Sequence, residues 1–314
     1  MNQFSIQVSP EELNLPLCVM SGQVFRWKWV GDDEIFGADN AHGYWVKLKG
    51  EGVYEVETNA AQADFERFFR LEDSLAALLE TVLETGPELA PYIGKLSGLR
   101  VLRPERASET AISFLCTANN NLSRIIPMVN HLADYGEPAV EHRGQVVRKF
   151  PALEVVAAIP EADLRAKGFG YRAKSIPEAA RHILEQGGEP WLNSLRESSY
   201  EEAFDALCSI KGIGPKLADC IALFGLHHLE AVPVDTHLWQ AACRLYFPDF
   251  AGKTITSTRY RAIGNHFRTK FGAQAGWAHQ FLFYDNLQNW REYRKMGGVP
   301  EADAEASSIL GDSA

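Results

Sequence analysis

The chain has 314 residues, 46% hydrophobic and 23% charged, which suits a water-soluble globular protein with one large core or several smaller ones. No apolar run nears the roughly 20 residues that span a bilayer, and residues 1–10 lack the basic flank and apolar stretch of a secretory leader, so the expectation is an intracellular protein with no membrane partner. The net charge of −10 counts against nucleic acid as a partner, although Glu301, Asp303, Glu305 and Asp312 place four of the negative charges in a base-free tail.

Residues 1 to about 58 read as strands. Gly22 to Val30 alternates Phe25, Trp27 and Trp29 with Val24, Arg26 and Lys28, and Tyr44 to Lys49 and Val53 to Thr58 follow after short Gly-containing turns, which favour antiparallel hairpins. Their aromatics are expected in a core. Helical stretches at Gln62 to Phe69 and Leu75 to Leu83 are expected to cover one face of the sheet. From Glu105 onward the apolar spacing becomes helical: Glu109 to Ala118, Leu122 to Tyr135, Pro160 to Lys167, Ala173 to Gln186, Tyr200 to Ile210 and Gly264 to Trp290. Strands followed by helices indicate an α+β fold, divided here into an N-terminal antiparallel sheet domain (1–104), a helical region of two subdomains (105–299) and an acidic disordered tail (300–314).

The run Ile210-Lys211-Gly212-Ile213-Gly214-Pro215-Lys216 lies between two helical patterns. Gly212 and Gly214 suit positive φ in a tight turn, and Pro215 suits the first position of the next helix, Leu217 to Gly225, so the stretch reads as a helix-hairpin-helix. Glycines there leave amides uncovered beside a helix N-terminus, a setting that attracts phosphate. Lys216 falls in the first turn of that helix, where the dipole and partial burial should lower its pKa from about 10.4 and favour a nucleophilic amine; the bland reading is a solvated surface lysine. Asp235 precedes an amphipathic run, His237 to Tyr246, and so reads as an N-cap, but a carboxylate can cap a helix and still face a site.

Three further motifs carry potential chemistry. Asn119-Asn120-Asn121 before Arg124 reads as a cap, or as a cluster of short amides beside a planar, hydrogen-bonding cation. Gly168-Phe169-Gly170-Tyr171-Arg172 reads as a helix C-cap with a core tyrosine, or as a turn presenting a wedge beside a cation. Ser21-Gly22-Gln23 before Phe25-Arg26-Trp27 would ordinarily be a turn.

Ile-Lys-Gly-Ile-Gly-Pro-Lys-Leu-Ala-Asp-Cys followed by Val-Pro-Val-Asp-Thr-His resembles the helix-hairpin-helix, Gly/Pro loop and Asp signature (HhH-GPD) of DNA glycosylases, in the form used by 8-oxoguanine DNA glycosylases, and the resemblance spans roughly Leu17 to Leu287. It implies base-excision repair by a bifunctional glycosylase and abasic-site lyase on double-stranded DNA with an oxidised purine opposite cytosine. Lys216 would attack C1′ and Asp235 would stabilise the developing cation. Asn119 would plug the stack, Arg124 and Arg172 would read the estranged cytosine, and Tyr171 would wedge the opposite strand. The Gly22 carbonyl would accept N7–H of the lesion, Cys220 and Phe283 would sandwich the flipped base, and His237 would contact a phosphate. Where vertebrate relatives place a Gln on the base edge this chain has His279, with Gln280 beside it, and either could serve. The resemblance implies a monomer that needs no organic cofactor, with a cation possible at the hairpin carbonyls formed around Gly212 and Gly214. An iron–sulfur cluster, which related glycosylases hold with four closely spaced C-terminal cysteines, is excluded because the last of the five cysteines is Cys243. The rival readings are a monofunctional alkylpurine glycosylase, which would lack the lysine, and a non-catalytic helix-hairpin-helix module, which would give Asp235 no purpose.

Overall fold

The computed structural model describes residues 1–50 and 52–295, so the acidic segment 300–314 lies outside the described residues. Strands β1 (Asn2–Gln7), β2 (Trp27–Trp29), β3 (Glu34–Asp39), β4 (His42–Leu48) and β5 (Val53–Thr58) form one antiparallel sheet in the order β1-β5-β4-β3-β2. Alternation aims Tyr44, Val46, Tyr54 and Val56 at one face, where helix Gln62–Phe68 packs Phe65 and Phe68 against them. Trp27 stacks on Tyr44 with ring centroids 5.7 Å apart and on Phe68 at 5.5 Å. Gly37 makes this possible, because a Cβ there would lie 1.9 Å from the Trp27 ring. The aromatics are core, as expected, except that Trp29 is exposed.

Three departures from the sequence reading have local causes. The stretch Gly22–Arg26 is not strand; bends replace it, and β2 keeps only three residues. Two strands, β1 and β3, were not singled out. A hairpin of β6 (Pro138–His142) and β7 (Gln145–Arg148) interrupts the helical half, turning through Arg143 and Gly144 at φ 50 and 70, and its Val147 covers the second face of the sheet with Phe36, Ala38 and Trp45. The hairpin strands are too short to alternate clearly, and β3 is buried on both faces, so its residues do not alternate.

The helical body packs in two clusters. The larger is continuous with the sheet and runs through helices Ala107–Leu115, Leu122–Ala133, Arg172–Gln186, Tyr200–Cys208 and Pro215–Ile221. The smaller joins helices Thr236–Leu245, Ser257–Phe271 and Ala275–Lys295 to Val82 and Leu89 of the early chain. Helix Leu75–Thr85 therefore does not simply cover the sheet: Leu75 and Leu79 enter the larger cluster and Val82 the smaller. The segment Gly264 to Trp290, read as continuously helical, is broken at Gly272, whose φ of 56 ends one helix before the next begins. Among the described residues no helix is long and apolar enough to cross a membrane.

Candidate active site

The helix-hairpin-helix forms as expected, with one correction. Ser199 and Glu202 make a capping box that starts helix Tyr200–Cys208. The chain then turns through Gly212, whose φ of 96 needs glycine, whereas Gly214 is extended at φ −94 and serves as the N-cap of Pro215–Ile221 without any side-chain cap bond. A glycine cap leaves first-turn amides without a side-chain partner at an exposed position.

Lys216 projects from that first turn, half-buried, with its amine 6.0 Å from the centre of the Phe114 ring and hydrogen-bonded to the Cys220 thiol one turn on. Burial works against its ammonium, but attraction from Cys220 and Asp235 outweighs burial, so the amine titrates above the usual lysine value and not below it. This reverses the expectation from sequence, because the dipole argument could not include the neighbours supplied by the fold. Burial pushes the Cys220 thiol up to about 11, with the lysine's charge opposing that rise.

Asp235 caps its helix and also lies beside Lys216. Its Oδ1 accepts the amides of His237 and Leu238, each at 2.9 Å, capping helix Thr236–Leu245, and the carboxylate remains partly accessible beside Lys216. His237 is the second residue of this helix, 3.3 Å from the Asn286 amide through Nδ1 and edge-on to Phe283 at 5.9 Å.

The late helix Ala275–Lys295 supplies the facing wall. His279 is buried and feels the charges of both Asp235 and Lys216. Burial brings its pKa down to about 4 despite Asp235 and the Pro233 and Gly276 carbonyls, so the ring is neutral at physiological pH. It lies parallel to Phe283, centroids 5.7 Å apart and planes 12° apart, so one face of that phenyl ring is already covered. Gln280 sits roughly 100° further round the helix. It is 1% exposed, neither amide atom has a hydrogen-bond partner, and no contact ties it to Lys216 or Asp235. Of the two adjacent residues, the structure brings His279 to the site.

Gly22 is placed by its neighbours. Ser21 Oγ donates to the Cys18 carbonyl at 2.7 Å; Gln23 Nε2 donates to Ser21 Oγ and to the Arg100 carbonyl, both at 2.8 Å, and Gln23 Oε1 accepts the Leu102 amide at 2.9 Å. These bonds hold the turn with Gly22 partly exposed at φ 84, which favours glycine, and a Cβ there would meet only Leu122 at 4.0 Å. Leu122 opens the helix that follows the three asparagines.

Those asparagines divide their tasks. Asn121 caps helix Leu122–Ala133 by accepting the Arg124 amide at 3.2 Å, and Asn120 bonds the Cys116 carbonyl at 3.0 Å. Asn119 is exposed in the left-handed region at φ 46. Arg124 donates to the Gly168 carbonyl at 3.3 Å, which joins the two loops. Tyr171 is 56% exposed, so it is not a core residue, and its hydroxyl donates to the Ala118 carbonyl at 2.9 Å. Arg172 stacks 4.5 Å from the Tyr171 ring but is itself buried, donating to the carbonyls of Ala118 and Asn119. In this conformation it holds the Asn119 loop in place. The sequence reading missed Phe114 beneath the lysine, Asn286 on His237, and Asp219, a charged residue inside an otherwise buried stretch of the Lys216 helix; that misplaced charge was the available signal.

No group of three or more His, Cys, Asp or Glu side chains suited to a metal ion occurs among the described residues. Comparison with known proteins matches both halves of this architecture. The model for HhH-GPD superfamily base excision DNA repair proteins matches residues 112–262, and that for the N-terminal domain of 8-oxoguanine DNA glycosylases matches residues 5–108. The N-glycosylase/DNA lyase OGG1 of Arabidopsis thaliana is 36% identical, with 90% of this chain and 80% of the relative covered. The N-glycosylase/DNA lyase of Saccharomyces cerevisiae is 32% identical, with 88% and 84% covered. Among solved structures, the Clostridium acetobutylicum 8-oxoguanine glycosylase/lyase in complex with double-stranded DNA containing cytosine opposite 8-oxoguanine superimposes with a TM-score of 0.78 at 26% identity, covering 88% of this chain and 93% of that one. A sheet domain joined to a hairpin-borne lysine facing a capping aspartate, matched over nine-tenths of its length by such a relative, means that this chain belongs to the 8-oxoguanine DNA glycosylase family of the HhH-GPD superfamily.

Proposed function

We infer that the chain is a bifunctional DNA glycosylase and abasic-site lyase that removes 8-oxoguanine opposite cytosine. The observation that carries this reading is Lys216 held as an ammonium beside Asp235 in a wall shared with Cys220 and His279. A monofunctional glycosylase has no use for that amine, and a binding module would use Asp235 only as a cap and would not need the lysine facing it.

Excision needs three things from these residues. The lysine must lose its proton to attack C1′, while the base, leaving with the electron pair of the glycosidic bond, must gain one; the two requirements balance. Asp235 is the anion placed to stabilise the cationic sugar, and its fixed cap bonds mean that little reorganisation is needed as charge develops. The C1′ adduct then opens to a Schiff base, loss of a C2′ proton expels the 3′ phosphate, and water releases the lysine.

For the flipped base, Cys220 and Phe283 would form the sandwich, which requires the base to take the Phe283 face that His279 leaves open, or His279 to swing aside. A neutral His279 can donate through one ring nitrogen and accept through the other, which suits the mixed polarity of a purine's pairing edge. The Gly22 carbonyl would accept N7–H, the hydrogen that distinguishes the lesion from guanine. Asn119 and Tyr171 would fill the gap and wedge the opposite strand. Arg124 would face the cytosine, with Arg172 joining only if it releases a carbonyl of the Asn119 loop. His237 and the uncapped hairpin amides at Gly212 and Gly214 would meet phosphates, a cation at the hairpin carbonyls would bridge to another, and the enzyme would act as a monomer inside the cell.

The test is borohydride trapping on duplexes with 8-oxoguanine opposite each of the four bases, wild type beside Lys216→Gln. A covalent adduct favouring the cytosine duplex and absent from the variant is expected. Released base without an adduct from the wild type would refute the lyase assignment.

A further inference from the structure

Behind Lys216 lies a buried anion that the chemistry above does not use. Asp219 stands on the Lys216 helix immediately before Cys220, only 1% exposed, among the buried Leu217, Ala218 and Ile221. One carboxylate oxygen accepts the Tyr200 hydroxyl at 2.7 Å, and the other accepts the hydroxyl of Tyr260. Arg268 donates to the Tyr200 hydroxyl at 3.1 Å and lies 4.6 Å from the centre of its ring. The Tyr260 hydroxyl in turn accepts the Val234 amide at 3.4 Å, and the Val232 amide also draws on the Asp219 carboxylate. Val232 to Val234 is the stretch that ends in Asp235.

One carboxylate and one tyrosine thus connect three elements: the helix that carries Lys216, helix Ser257–Phe271, and the segment that delivers Asp235. The direct route along the chain between lysine and aspartate passes through a π-helical turn, Ala222–Leu226, and the loop that follows it. Burying a charge here is costly even with two hydroxyl donors: burial pushes the Asp219 carboxyl up to about 6. A neutral side chain of similar shape would be expected to serve stability at least as well. A charge retained at that cost beside a reactive pair points to function.

We propose that Asp219, acting through Tyr260, is a positioning residue that sets the separation of Lys216 and Asp235 for excision. This rests on the assignment of those two groups given above. Neither Asp219 nor Tyr260 touches DNA; their effect is on the placement of the amine, where an error of about 1 Å can cost about 100-fold in rate.

The experiment compares wild type, Asp219→Asn, Tyr260→Phe and Tyr200→Phe in single-turnover excision on an 8-oxoguanine:cytosine duplex, with duplex affinity and melting temperature measured on the same samples. Asp219→Asn and Tyr260→Phe are expected to lose about 10- to 100-fold in excision rate with duplex affinity within about three-fold of wild type, and Asp219→Asn is expected to melt at or above wild type. Tyr200→Phe, which touches Asp219 but not Val234, is expected to lose less than Tyr260→Phe. Tyr260→Phe keeps the ring and its packing, so the comparison stands even if Asp219→Asn does not fold. Rates near wild type, equal losses in the two tyrosine variants, or losses that follow melting temperature would overturn the proposal. A wild type that neither excises nor traps would overturn the assignment of Lys216 instead.

Discussion

The residues gathered around Lys216 and those gathered around Asn119 are held in opposite ways. Lys216, Cys220 and His279 stand in a crowded wall where Lys216 and Cys220 alter each other's titration and the lysine acts on His279, and Asp235 is fixed by two cap bonds. Asn119, Arg124 and Tyr171 are exposed, and the contacts of Arg124, Tyr171 and Arg172 run to backbone carbonyls of the neighbouring loop. Charge development gains from desolvation and rigidity, whereas a duplex must be met by side chains that can exchange their partners. If that division is correct, substitutions in the first group should change rates on bound DNA, and those in the second should change which DNA is bound.

The largest effect is expected from Lys216→Gln: at least about 1,000-fold loss of base release and complete loss of the borohydride adduct, with duplex affinity retained. Next, Asp235→Asn keeps a side chain that caps a helix well, so its stability should fall by less than about 1 kcal/mol while excision falls by about 100-fold or more. A loss of excision matched by loss of the fold would mean that the aspartate is only a cap. Single-turnover kinetics and thermal melting together decide between these outcomes.

His279→Gln addresses stability through pH. Burial lowers the folded-state pKa of His279 to about 4 from the usual histidine value of 6.5, so below pH 6.5 the unfolded chain takes up a proton that the folded protein refuses, and stability falls as the pH drops through that window. By pH 5 this amounts to about 2 kcal/mol, a penalty the glutamine variant should not show. Parallel acid limbs for the two proteins would place the histidine in contact with water. The smallest effect belongs to the reading group: Arg124→Ala should reduce preference for cytosine opposite the lesion by about ten-fold in affinity while leaving the excision rate on saturated duplex unchanged.

Much of this site was legible in the chain. Glycine and proline punctuation located the hairpin, and the distance from Lys216 to Asp235 left room for one helix and a turn, which is what the fold places there. The Asn119 and Tyr171 motifs could be read because turns are written in local sequence. What could not be read depends on contacts remote in sequence. The upward titration of Lys216 needs Asp235, the partners of Asp219 lie 19 and 41 positions away, and the anchoring of Arg172 depends on carbonyls 53 and 54 positions back. Strand β3 escaped because both of its faces are buried, with Ile35 in the main core and Phe36 and Ala38 under the β6–β7 hairpin, so its sequence does not alternate; β6 and β7 escaped because each is short and its partner decides its conformation.

The early helices Leu75–Thr85 and Ala90–Lys95 close against the last ones, with Lys95 bonded to Asp285 at 2.8 Å and Glu88 accepting the Tyr246 hydroxyl at 2.6 Å. A ribosome releasing this chain therefore exposes half of that contact long before the other half exists. The nascent protein acquires Lys216 and Asp235 first, and the wall carrying His279 and Phe283 can dock only after that later helix has been made. Until then the Val82 and Leu89 side chains have no cover from that wall, which makes the unfinished chain a candidate for chaperone binding.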